Sequence, residues 1–277
     1  MYDVIITGSV VYTGGEVLRE GYVYIKSGRI VDVGEGPVPE DYTYATLVLG
    51  GPHRVITPGL AVAADVATYN YRLLKPSARE RGEILKRTSR ERQFLASLFG
   101  VYELHLSGAT TILVESLDAS LVRAIEEAAG GFYGVAMPAC WGAPLPGDIA
   151  GVRVDLEGCE GGGVDWREIL YFENRLAYSP IGEHDVWVRS MKLRQAAGLA
   201  GGTLKEGERA EVAVYDARLP PLAFIESNPE AAVLAPTLGA RVESLIAGDE
   251  VLVDAGQHLN ISPKQLADAL AKLLATA

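Results

Sequence analysis

Side chains that usually carry metal and redox chemistry are scarce in this chain of 277 residues, which has 4 histidines, 2 cysteines and 3 methionines. Cys140 and Cys159 are too few for a disulfide framework and lack the CxxC spacing of a zinc or redox site. A reducing cytoplasm is the expected compartment. No stretch reaches the roughly 18 uninterrupted apolar residues of a membrane-spanning helix. The start, MYDVIITGSVVYTGG, shows no basic region ahead of a long apolar run and does not read as a secretory signal. Positive charge is also short: 25 Lys and Arg face 36 Asp and Glu, a net charge of −11. That balance excludes a general nucleic-acid binder, which needs basic surface to displace counterions from phosphates. It equally disfavours an anionic membrane surface.

What the chain does have is the composition of a folded globular protein, 48% hydrophobic and 22% charged. Its length suits one large domain or two of ordinary size. Asn and Gln are scarce, and Arg and Glu are densely mixed in ARERGEILKRTSRERQ, residues 78–93, a bias compatible with a heat-adapted source. That run reads as a solvated helix face with paired charges.

The two ends share one texture. DVIITGSVVYTGG and EGYVYIKSGRIVDVGEG are short β-branched runs parted by glycine turns, and YATLVLGG is a third run that leads to the turn VITPGL. Near the other end GTLKEGERAEVAVYD predicts a strand over residues 210–216, and RVESLIAGDEVLVDAG a hairpin around Gly248-Asp249. SPKQLADALAKLLATA then opens a helix with Ser262 as N-cap and Pro263 at its first position. A small β-sandwich of both termini is expected, residues 1–57 plus 203–277 with the C-terminal helix.

Residues 58–202 change period. RERQFLASLFGVYELHLSG is helical, ATTILVES a buried strand, DASLVRAIEEAAGG a helix capped by Asp118 or Ser120, and FYGVAMPAC the next strand. Strand, helix, strand, helix, strand predicts a parallel sheet. Beyond Trp141 the pattern weakens: GVRVDLEG and NRLAYSP are candidate strands, VDWREILYFE and HDVWVRSMKLRQAAGL candidate helices. The glycines of EGCEGGGVDW fit neither GxGxxG nor Walker spacing and read as a loop.

The hairpin GYVYIKSGRIVDVGEG, the turn VITPGL, the unit LHLSGATTILVES, the segment GTLKEGERAEVAVYD and the hairpin VESLIAGDEVLVDAG, in this order, resemble the amidohydrolase superfamily, especially its deaminase and chlorohydrolase-like branch. Glu211 stands where that family's signature usually has Asp. The resemblance implies a (β/α)8 barrel flanked by a β-sandwich, with zinc or iron at the C-terminal mouth activating water against a carbon bound to nitrogen. The family's His-x-His positions fall on Ala64 and Val66, which cannot bind a metal. No metal cofactor is therefore expected. The other histidines do not replace the pair: His53 precedes Pro58-Gly59 at the wrong end of the strand, His105 reads as a partly buried helix residue and His258 as a surface residue. A full barrel takes roughly 250 residues, so residues 58–202 hold only part of one. The expected fold is α/β, a truncated or rearranged TIM-type β/α core with a discontinuous β-sandwich. Open strand edges in such a core predict a homodimer.

A surviving pocket belongs at the C-terminal strand ends. Candidate catalytic residues there are Asp65, Glu115, His184 and Asp185, with Thr68, Tyr69, Ser116, Asp118, Cys140 and Trp141 as pocket candidates. Asp65 and Glu115 facing each other could share a proton or hold a basic ligand; alternatively Asp65 and Asp118 cap helices and Glu115 pairs with an arginine. Cys140 acts as nucleophile only beside a base and otherwise is a small buried thiol. His184 is read as a loop residue within reach of the mouth. Two functions remain open: a hydrolase of non-peptide C–N bonds in a small substrate, or a non-catalytic relative that binds a small molecule or serves assembly.

Overall fold

The computed structural model describes residues 3–64, 66–67, 86–115, 118–130, 133–137, 183–196, 198–220 and 222–275. The candidate elements between Trp141 and Pro180, with the glycine-rich segment, lie outside these residues.

Both chain ends meet in one nine-stranded sheet. β1 (Asp3–Tyr12) runs antiparallel to β2 (Val17–Lys26), which continues into β3 (Arg29–Glu35). The β2–β3 turn holds Ser27 and Gly28 at φ of 53° and 72°, the left-handed pair that a tight hairpin requires. β4 (Leu47–Gly50) and β5 (Arg54–Pro58) then pair in parallel with successive stretches of the same edge of β1. The chain returns more than 150 residues later as β9 (Glu211–Asp216), antiparallel to β5, followed by β10 (Ser244–Ala247), β11 (Glu250–Asp254) and β12 (Gln257–His258). Strand alternation gives the central strands two apolar faces. Ile56, Val212, Val214 and Ile246 join one core with Val23, Ile25 and Ile30, whereas Val55, Ala213, Tyr215 and Leu245 join another.

That second core is shared with a three-stranded parallel sheet of β6 (Leu60–Ala64), β7 (Ala109–Glu115) and β8 (Tyr133–Met137), in that order. α1 (Arg90–His105) starts at Ser89, whose Oγ accepts the Arg92 amide, and α2 (Ala119–Ala129) starts at Asp118. Both follow the βα succession expected from the sequence. Leu98, Val101 and Leu104 of α1 and Leu121, Val122 and Ile125 of α2 are buried with Val62, Ile112 and Val114. Each such side chain contributes roughly 1.5–3 kcal/mol by leaving water. α3 (Glu183–Ala196) and the terminal α4 (Pro263–Ala275) complete the α-helices, and residues Pro229–Leu238 form 3-10 turns. At α4 the Ser262 Oγ accepts the Gln265 amide, as the capping pattern predicts. No helix among the described residues is long and apolar enough to cross a membrane.

The two sheets are joined at the Pro58-Gly59 turn. The Gly59 amide donates to Glu211 O and the Leu60 amide to Gly108 O, at 2.8 and 2.9 Å. Gly108 is needed there twice over. Its φ is 95°, and a Cβ would come 2.3 Å from the hydroxyl of Tyr215.

Candidate functional site

The C-terminal ends of β6, β7 and β8 lie at one end of the parallel sheet, with Ala64 opposite Val114 and Glu115 opposite Met137. α3 runs antiparallel to β6 and brings its first turn to the same end. Ser190 Oγ accepts the Ala61 amide at 2.8 Å, while Arg194, one turn further on, donates to the earlier Gly59 O at 3.4 Å. Six residues of helix rise about 9 Å and three of strand about 10 Å, which puts the backbone of His184 level with Ala64. His184 and Asp185 therefore occupy a helical first turn rather than a loop.

The position of α3 is set by a buried ion pair. Arg194 Nη2 meets Glu211 Oε2, with side chains 1% and 3% exposed. Thr110 Oγ1 donates to the same carboxylate at 2.9 Å, and Arg209 Nη1 to its other oxygen at 3.3 Å. Glu211, at the place where the resembled signature has Asp, thus links β9, β7 and α3 beneath the sheet. Removing one partner of such a pair costs about 3–5 kcal/mol, because the other is left charged and dry. Trp187 Nε1 donates to Val233 O at 2.9 Å and its ring lies 5.0 Å from that of Tyr12, so the upper half of α3 is held as well.

Of the candidate site residues, Asp118 has an assigned structural role. It is the N-cap of α2, accepting the Leu121 amide at 2.9 Å, and receives Arg90 Nη1 and Nη2 at 2.7 and 3.1 Å. Burial acts to raise its carboxyl, but the bonds from Arg90, Ser120 and Leu121 prevail and hold it at about 2. It is a permanently ionised cap. Glu115, His184 and Asp185 are placed by their backbones at the strand-end region described above. Asp65, Thr68, Tyr69, Ser116, Cys140 and Trp141 lie outside the described residues.

Val66 is buried in the core, and Gly100 of α1 approaches it so closely that a Cβ would come 2.7 Å from Val66 O. Among the described residues no group of three or more His, Cys, Asp or Glu is disposed to hold an ion.

His258, expected at the surface, is only 8% exposed. The short β12 folds over the C-terminal end of α1, where His258 Nε2 lies 2.8 Å from His105 Nδ1. His258 Nδ1 accepts the amides of Asn260 and Ile261, both at 3.1 Å. Its proton consequently sits on Nε2 and is donated to His105, so both rings are neutral. Burial lowers His258 to about 4, and burial together with His258 lowers His105 well below the ordinary histidine range. His53, in the turn before β5 with φ of 62°, faces Glu226 at 2.9 Å, and Glu226 also accepts Ser9 Oγ. These pairs join positions 153 and 173 residues apart in the chain, and no local signal in the sequence announces them.

Neither a family model nor a curated protein sequence matches the chain. Solved structures do. An adenosine deaminase from Xanthomonas campestris with bound zinc aligns at a TM-score of 0.67 and 11% identity, over 99% of this chain and 98% of that one. Atrazine chlorohydrolase from Arthrobacter aurescens complexed with zinc gives 0.66 and 12%, over 98% and 100%. An amidohydrolase from an environmental sample of the Sargasso Sea gives 0.60 and 13%, over 99% and 98%. At such identities the likeness is one of fold.

Proposed function

We propose that this chain, whose fold is shared with solved amidohydrolases, acts on a non-peptide carbon–nitrogen bond of a small, nitrogen-rich substrate bound at the C-terminal strand ends. The observation that carries the reading is the chain path: β1 to β5, a Pro-Gly entry into parallel β/α units, and a return through Glu211 into the same sheet, on a backbone close to structures named as a deaminase and an amidohydrolase. In this reading Asp65 and Glu115 act as the carboxylate pair, one taking a proton from the water that attacks carbon, while His184 or Asp185 gives a proton to the leaving nitrogen as its bond to carbon breaks. Thr68, Tyr69, Ser116, Cys140 and Trp141 remain the further pocket candidates of this reading. The two units of this reading are residues 1–57 with 203–277, and the partial barrel 58–202, paired with a second copy in a cytoplasmic homodimer.

Turnover of a panel of cyclic ureas, amidines and aminopurines, undiminished by chelation, is the expected result. Stoichiometric zinc, iron or nickel in the purified protein would overturn the metal-free site, and no turnover of any member would overturn the enzyme. Light scattering at the monomer mass would remove the dimer.

A second reading is favoured by Ala64 and by Val66 packed against Gly100: a non-catalytic relative that keeps the scaffold to bind a small molecule or to assemble. Saturable binding of a panel member without turnover would select it.

A further inference from the structure

Among the described residues β4 is bonded along one side only. Among the described residues it pairs with Val4, Ile5, Ile6 and Thr7 of β1 and with no other strand, so its far edge is an unused row of peptide groups. Next to β4 lies a groove of about 510 Å3, lined by Leu47 and Leu49 of β4 and by Val251 and Leu259. Leu47, Leu49 and Val251 are the partly buried rim of the core inside the large sheet, and Leu259 is exposed. On the opposite face of β4, Val48 is 66% exposed. An apolar rim beside an unpaired strand edge is a surface built to receive another strand.

The charge of the groove says which strand. Its lining carries Asp249, Glu250 and Asp254 and no basic side chain. A second cavity of about 820 Å3 shares Glu250, Leu259 and Asn260 and adds Glu126 and Glu127, with Arg123 as its one cation. A second copy of this chain, with net charge −11, meets these carboxylates unfavourably.

We propose that the groove between β4 and β11 binds an extended, basic and apolar peptide segment of another protein, which adds to β4 as a further strand. Side chains alternate along an extended peptide. Its apolar set covers Leu47, Leu49 and Val251, and its Lys or Arg set faces Asp249 and Asp254. The proposal is independent of any chemistry at the strand ends of the parallel sheet.

Fluorescence anisotropy with a labelled peptide of alternating lysine and valine tests it on the full chain. Saturable binding that weakens with salt is expected, reduced on the order of tenfold by the Asp249→Lys/Asp254→Lys variant. Both residues are exposed, so the variant keeps its fold. The same peptide with N-methylated backbone amides, which cannot pair with a strand edge, binds at least tenfold more weakly in this reading. Failure of the parent peptide to bind, equal binding of the N-methylated form, equal binding of a glutamate–valine peptide, or self-association blocked by the double variant would each overturn the proposal.

Discussion

His258 donates from Nε2 to Nδ1 of His105 across 153 residues of sequence, and the pair is buried where the terminal segment crosses α1. An unfolded imidazole titrates near 6.5, whereas in the fold His258 titrates at about 4 and His105 well below its usual range. Between those values the unfolded chain binds more protons than the folded one. The stability contributed by the neutral pair is therefore complete above about pH 6.5 and is lost as pH falls towards about 4, with His258 alone accounting for about 3 kcal/mol. Urea midpoints measured from about pH 8 down to about pH 4.5 should fall in the wild type and fall less in His258→Asn; level wild-type midpoints would refute the assignment.

The Arg194–Glu211 pair is predicted to be worth little as a pair and much as two halves. Arg194→Met or Glu211→Leu alone should destabilise by about 3–5 kcal/mol, while Arg194→Met/Glu211→Leu should recover most of that loss. A double-mutant cycle by urea denaturation reads the coupling directly. Additive losses would show that the two side chains do not depend on each other.

Gly108 and Gly36 separate backbone conformation from crowding. Both have positive φ, 95° and 91°, but a Cβ on Gly108 meets Tyr215 at 2.3 Å and one on Gly36 meets nothing within 4 Å. Gly36→Ala should cost about 1 kcal/mol, the backbone part alone. Gly108→Ala should cost roughly 1–3 kcal/mol more, because the joint between the sheets must also shift. Equal thermal shifts for the two variants would contradict the close approach.

Restoring histidines to the first strand should not restore a metal site. In Ala64→His/Val66→His the second imidazole replaces a buried valine beside Gly100. The expected outcome is a loss of roughly 1–3 kcal/mol from overpacking and no stoichiometric zinc by plasma mass spectrometry. A stable variant with one bound zinc would mean that the pocket still accepts the ion.

Much of the strand and helix content was legible because it is local. Alternation in DVIITGSVV, the Gly248-Asp249 turn and the Ser262-Pro263 start each act within a few residues, and β1, the β10–β11 hairpin and α4 follow them. The sequence offers Asp118 or Ser120 as the cap of α2 for the same reason, and the structure selects Asp118.

What the sequence by itself determined, then, is the order and period of the elements, because these depend on neighbours along the chain. Only the tertiary structure decided that His258 is buried against His105, that Glu211 anchors α3 through Arg194, and that, among the described residues, β4 pairs with β1 alone. Those outcomes depend on which distant segments pack together, and the free energy of burying a charge, a ring or a strand edge is set by the neighbour it meets in space.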